Sequence, residues 1–485
     1  MTSPTRTEST DVVVIGGGIA GLVVAWQLAR AGRRPLLLEA GAVVGGVLSS
    51  HRVGGLTLDA GAESFATTRP SVGELIDDLG LRAAVVRPSP AGAWVRHSSG
   101  TAPLPAGGLL GIPARPWAAD VRRVVGAAGS ARACLDRVLP RSSTESSYAT
   151  LGALVRSRMG RRVLDRLVEP VAGGVYAADP DQLEIQTIVP GLPAALSATR
   201  SLSAAVSRLR AGDARPGGAV ASLTGGMYTL ARALGAAVTN AGGTVRTDLS
   251  VTRLARAELA GSPGGIREGW QIPVPGGPTI VAGQVVLALP GDAAAALLAG
   301  AASDIPSSVL RPPATEVLLC TLVLHDTRLD RAPRGTGVLV SRTATGVRAK
   351  ALTHATAKWA WLAGSAGPGR HVLRLSYGRS PDGGDLPAGA GLPDIALQDA
   401  STLLGLKLAP ESVVDTAVLR WSSALPTPVP GHAAGVEALR VALAPRRLSV
   451  VGSAVAGTGL AAVVADARRE AEALTAVLVS DPVAD

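Results

Sequence analysis

Apolar residues fall along this chain in short unbroken runs and in helically spaced stretches, and the two kinds alternate. Val12-Val13-Val14-Ile15 is a continuous run that predicts a buried strand, and Pro35 to Leu38 predicts a second. Between them Leu22 to Ala31 has helical spacing and stops at Gly32, where a helix C-terminus is expected. The alternation returns further on, as helical Leu230 to Ala237 before the strand-like Thr244 to Thr247, and as Leu448 to Ser453 before a helix through Ala476. Val281 to Ala302 is interrupted by Gly, Pro and Asp292 and reads as a buried strand and helix, while Leu151 to Val168 reads as helical. Pro103 to Pro116 and Gly261 to Pro278 read as loops. No run approaches the roughly 20 apolar residues of a membrane span. Strands interleaved with helices point to the α/β class.

Composition changes this picture little. At 485 residues the chain exceeds what one hydrophobic core serves, so two or three structural units are expected. Apolar residues at 47% make it globular, and 59 Gly and 34 Pro imply many turns. The net charge of +10 comes from scattered arginines, with lysine only at 350, 358 and 407, and forms no basic tail or stripe. That pattern argues against nucleic acid and suits an anionic small substrate. Cys134 and Cys320 stand alone, which argues against a disulfide scaffold and a structural zinc; no metal is expected. Met1 to Thr10 lacks the apolar stretch of a secretory signal, so cytoplasm is the expected compartment, with peripheral membrane contact left open. Oligomeric state is not readable from the sequence.

The first strand runs into Gly16-Gly17-Gly18-Ile19-Ala20-Gly21, a GxGxxG turn with a strand before it and a helix after it. Gly16 permits the tight turn, Gly18 lets backbone approach a pyrophosphate, and Gly21 lets helix pack on strand. The helix N-terminus at Ile19 and Ala20 stabilises phosphate charge. Glu39 ends the second strand where an acid accepts hydrogen bonds from a ribose, and it favours a free ribose over a 2′-phosphate. FAD and NAD both remain open on these residues alone.

The continuation Glu39-Ala40-Gly41-Ala42-Val43-Val44-Gly45-Gly46 resembles the ExxxxxGG element of the flavin amine oxidase superfamily, with Val47 where Arg or Lys is usual. Asp59-Ala60-Gly61-Ala62-Glu63-Ser64-Phe65 resembles the superfamily's D-x-G-A-E-x-F segment, which passes along the flavin. Thr224-Gly225-Gly226-Met227 with its helix and strand resembles the unit that returns the chain to the FAD domain. The resemblance implies noncovalent FAD, held by Gly16, Gly18, Ile19, Ala20, Gly21, Glu39, Ala40, Gly46, Val47, Gly61, Ala62 and Glu63. It adds Val251 on the adenine side, and Ser453, Thr458, Gly459 and Leu460 at a second flavin-contacting helix.

Four blocks narrow the resemblance to bacterial coproporphyrinogen and protoporphyrinogen oxidases. They are Leu167 to Ala177 with Leu183 to Leu192, Lys350-Ala351-Leu352-Thr353 with Lys358-Trp359-Ala360-Trp361, Arg420-Trp421 with Ala424-Leu425-Pro426 and Gly431-His432, and the C-terminal flavin helix. The implied architecture is a Rossmann-like FAD domain in three pieces, 10–90, 216–300 and 440–480. A helical and substrate-lobe insertion at 91–215 and a mixed-sheet substrate domain at 301–439 would complete it. The implied activity is dioxygen-dependent oxidation of an anionic porphyrinogen in haem synthesis, with coproporphyrinogen III preferred over protoporphyrinogen IX. Arg69 is the first choice for a propionate anchor, with Arg96 and Lys358 behind it, and no acid or base is assigned to catalysis. His432 is read either as a proton relay or as a loop histidine holding backbone. A flavin amine oxidase is the nearest rival, but Leu319 stands where those enzymes commonly place a lysine beneath the flavin. A non-catalytic FAD-binding paralogue is the alternative of another class.

Overall fold

The computed structural model describes residues 7–139, 150–176, 178–189, 191–210, 220–259, 267–274, 277–379, 386–387, 391–426, 429 and 431–479. Ala177 and Pro190 of the quoted motifs, and 261–266 and 275–276 of the segment expected to be a loop, lie outside them; within that segment Arg267–Pro273 is a strand instead, its Trp270 and Ile272 buried.

A seven-stranded sheet gathers distant pieces of the chain in the order Thr244–Arg246, Leu36–Leu38, Thr7–Ile15, Thr279–Leu287, Arg267–Pro273, Ala255–Leu259. Leu448–Val450 pairs in parallel with the second half of Thr279–Leu287. The strands flanking Thr7–Ile15 run parallel to it, and two antiparallel strands extend the far edge. Side chains alternate between two cores: Val12, Val14, Leu37 and Val286 enter one, and Val13, Ile15, Leu36, Leu38, Val285 and Leu287 the other. Helices cover both faces, so these strands read as continuous apolar runs instead of alternating ones. The Ile19–Arg30 helix is buried almost all round because Tyr228–Asn240 and the C-terminal helix Leu460–Val479 pack over it.

The second seven-stranded sheet has the order Val413–Pro426, Ala314–His325, Arg370–Tyr377, Ala351–His354, Gly337–Val340, Trp94–His97, Gly100–Pro103. Its last two strands come from the 91–215 segment, and Trp94–His97 joins Gly337–Val340 in parallel. One face carries Leu318, Cys320, Leu322, Val338, Leu352 and Leu375, buried with the Leu392–Leu404 helix. The other carries Leu319, Thr321, Leu339, Ala351, Arg374 and Ser376, fixed by strand register. The helical remainder of 91–215 forms its own core around Val124, Leu154, Leu167 and Val206. Among the described residues, no helix is long and apolar enough to cross a membrane.

Candidate active site

Gly16 has φ +107°, and a side chain there would collide with the Ala288 carbonyl; one on Gly21 would collide with the Gly16 carbonyl. Gly18 differs. Its φ is −68°, which any residue tolerates, and nothing lies within 4 Å of where its Cβ would sit. This glycine keeps space clear outside the protein backbone, directly at the N-terminus of the helix that begins with Ile19 and Ala20. Gly45 and Gly46 approach it from the second loop, Gly45 forming a bridge with Gly18. Glu39 accepts the backbone N–H groups of Gly17 and Gly41, each at 2.7 Å, which fixes its carboxylate beside the cleared space. Ala40 is exposed next to it. The Leu249 N–H donates to the Glu39 carbonyl, and Val251 follows in a loop, half-buried against the second core of the first sheet. A glycine cradle, a helix N-terminus and a carboxylate at the end of the second strand fit a dinucleotide such as FAD.

The Asp59 to Glu63 segment is clamped from three sides. Asp59 accepts the N–H groups of Met227 and Tyr228 at the start of the Tyr228–Asn240 helix, so two separately recognised motifs form one clip. Burial pushes the Asp59 carboxyl up to about 6, although those N–H groups pull the other way. Gly61 packs against the backbone of Val47, whose carbonyl accepts the Ala62 N–H at 2.9 Å. Val47 thus serves through its main chain, while its side chain joins the first core. From the second sheet, Arg374 donates to the Gly61 carbonyl at 2.8 Å, and Trp421 Nε1 donates to the Ala60 carbonyl at 3.3 Å.

Glu63 receives Lys358 Nζ at 2.6 Å and Arg374 Nη1 at 3.1 Å. Burial alone would raise its pKa, but the two cations outweigh burial and hold it at about 2. Lys358 is therefore committed to an ion pair across the boundary between the sheets, a role its sequence context did not reveal. Arg69 is exposed one residue before Pro70 and the Ser71–Asp78 helix. Strand register puts Arg96 level with Val340, on the face opposite Leu319, where its Nη1 reaches Thr101. It does not share the Arg374 face.

At the C-terminal end, Gly452, Gly457 and Gly459 all have positive φ, with Ser453 opening a short helix between the first two. Thr458 Oγ1 donates to the Pro426 carbonyl at 2.7 Å, and Leu460 starts the C-terminal helix. His432 pairs through Nε2 with the Ala454 carbonyl at 2.9 Å, the backbone-holding alternative. Leu319 is half-buried and level with Ser376 and Leu419, so no cation stands at that point of the face. Cys134 and Cys320 are both free, and burial pushes the Cys320 thiol up to about 12.

Arg374 and the Asp59 clip were missed by sequence reasoning. Arg374 sits in an ordinary alternating strand, and its partner Glu63 is 311 positions away.

Residues 19–475 match the family described as flavin containing amine oxidoreductase. The chain is 31% identical to coproporphyrinogen III oxidase of Mycobacterium leprae, over 96% of this chain and 99% of that one. It is 27% identical to the enzyme of the same name from Bacillus subtilis, over 93% and 94%. An Exiguobacterium crystal structure assigned as a protoporphyrinogen oxidase superposes with a TM-score of 0.81 at 25% identity, covering 98% of this chain and all of the other.

Proposed function

Because the chain belongs to the flavin-containing amine oxidoreductase family, we propose that it oxidises a porphyrinogen, coproporphyrinogen III, to the porphyrin in haem biosynthesis, with noncovalent FAD as cofactor. The observation that carries the reading against an amine substrate is the uncharged Leu319 on the sheet face that meets the Ala60–Glu63 segment. Protoporphyrinogen IX is the second substrate to be tested.

Bound FAD supplies the hydride acceptor and the route by which electrons reach dioxygen. Over three rounds the substrate loses six hydrogens in all, and each round reduces one dioxygen to hydrogen peroxide. The chain's own work is positioning. Gly18 keeps the dinucleotide approach open, Gly46 lets the second loop close on Gly18, and Glu39 offers its carboxylate to ribose hydroxyls. Arg374 and Lys358 lock Glu63, and with it the Gly61 backbone, against the second sheet. The N-terminus of the C-terminal helix, behind Gly459, favours negative charge. We assign Arg69, on the exposed turn after that segment, to a substrate propionate. A cytoplasmic setting is supported by the two free cysteines.

The test is oxygen uptake with porphyrin fluorescence, using purified protein, FAD and each porphyrinogen in turn. Faster turnover of coproporphyrinogen III supports the reading. No oxidation of either above the enzyme-free rate overturns it and favours the amine oxidase or the silent paralogue. Arg69→Ala should raise KM while FAD binding is retained, and an unaltered KM removes Arg69 from the site.

A further inference from the structure

At the end of the second sheet, in front of Glu169 of the helical lobe, lies an open cavity of about 510 Å³. Arg342, Arg348 and Arg379 line it together with Ala344, Val347 and Leu386, and no Asp or Glu lines it among the described residues. Glu169 lies behind the arginines. It accepts the Arg342 backbone N–H at 2.9 Å and Arg379 Nη1 at 3.4 Å, and forms an ion pair with Arg342 Nε at 3.5 Å. Asp179 is 3.5 Å from Arg342 Nη1. Asp399, whose charge Arg348 also feels, is engaged by the backbone N–H groups of Arg348 and Ala349. Lys350 is buried nearby, donating to the Gly378 carbonyl. Arg348 is exposed, and its guanidinium makes no salt bridge among the described residues.

We propose that this cavity receives propionate carboxylates of the tetrapyrrole and so sets a preference for a four-carboxylate over a two-carboxylate substrate. The inference rests on the porphyrinogen-oxidase reading above. A lining that mixes guanidinium groups with apolar side chains suits a carboxylate on a short hydrocarbon arm, because arginine pairs carboxylates in a bidentate fork while the methylenes lie on Val347 and Leu386. The cavity lies beyond the strand ends at Val340 and Tyr377, where Ala344, Val347 and Leu386 pack on the Leu392–Leu404 side, and one helix, Glu169–Tyr176, links it to the Leu319 face. Glu169 touches the arginines at its start, and Gly174 packs on Leu339 of that face. Five residues of helix rise span about 7.5 Å, within the reach of a tetrapyrrole and its propionates. A substrate carrying vinyl groups in place of two propionates offers Arg348 no carboxylate.

The experiment compares KM for coproporphyrinogen III and protoporphyrinogen IX in FAD-loaded parent protein and in Arg348→Ala, Arg348→Glu and Arg348→Lys. Arg348 supports no ion pair of the fold, so these variants spare the Glu169 pairs. Arg348→Ala should raise the coproporphyrinogen KM about tenfold or more while the protoporphyrinogen KM stays within about twofold; Glu should do more, and Lys less. A coproporphyrinogen KM within about twofold of the parent, or an equal rise for both substrates, overturns the cavity assignment and leaves the oxidase reading standing. If the parent oxidises neither substrate, the oxidase reading fails instead. The cavity is then judged by titration with coproporphyrin III, where equal affinity in parent and Arg348→Glu overturns it.

Discussion

Replacing Glu63 by Gln tests the lock between the two sheets. A carboxyl whose ordinary value of 4.5 is held at about 2 contributes about 3 kcal/mol to folding at neutral pH. Its folded value is depressed, so that stability is present above about pH 4.5 and is lost as pH falls through about 2. Glutamine removes it and leaves Lys358 and Arg374, with side chains 17% and 9% exposed, without their anion. Breaking one side of a buried pair costs about 3–5 kcal/mol. For 485 residues the unfolding entropy is roughly 1 kcal/mol per kelvin, so the midpoint should fall by about 3–5 °C. The assay is thermal melting of FAD-loaded protein, followed by tryptophan and flavin fluorescence together. Adding Lys358→Met removes one stranded cation and should recover part of the loss, the coupling being read from a double-mutant cycle. A Glu63→Gln midpoint within about 1 °C of the parent, with unchanged flavin affinity, would refute the reasoning.

Three other outcomes follow from the same structure. Gly18→Ala should leave circular dichroism unchanged yet strip flavin absorbance from the purified protein, because its Cβ enters open space; Gly21→Ala, which strikes the Gly16 carbonyl, should lower soluble yield as well. Asp59 is held at about 6 against an ordinary 3.8, so its contribution to stability is full below about pH 4 and lost as pH rises through about 6. Asp59→Asn should flatten melting temperature over that window, and an identical pH profile would show that Asp59 does not titrate there. Lys350 is pushed down to about 7 by burial, with Arg379 adding to it, so its burden on the fold grows as pH falls toward 7. Lys350→Met should therefore raise stability by about 2–3 kcal/mol more at pH 6 than at pH 9 in urea unfolding.

The first sheet was legible because its signals are local. Strand, glycine turn, helix and Glu39 lie within one stretch of chain, and the C-terminal strand and helix repeat the alternation. Gly18 could be singled out by spacing alone. The cross-connections could not. Asp59 meets the Tyr228 N–H 169 positions away, and Trp94–His97 pairs with Gly337–Val340 in parallel; neither union leaves a periodicity in the sequence. The face that Arg96 takes was unreadable for a related reason: in a strand one residue's shift in register reverses the face, and that register is set by a partner more than 200 residues on. Lys358 was recognised by its motif, but a motif names a residue without naming its counter-ion.

The first sheet is completed by Leu448–Val450, and its Ile19–Arg30 helix is covered by Leu460–Val479. During synthesis the glycine turn leaves the ribosome early and then waits for that cover. From Arg30 to Leu460 is 430 positions, roughly 20–90 s at 5–20 residues per second. Over that interval only Tyr228–Asn240 can cover the apolar helix, and the face that Leu460–Val479 takes stays open. A chain that stops short of residue 448 has the whole GxGxxG signature and no finished cradle. Yellow colour in a cell extract therefore reports chains that were translated through their last strand and helix.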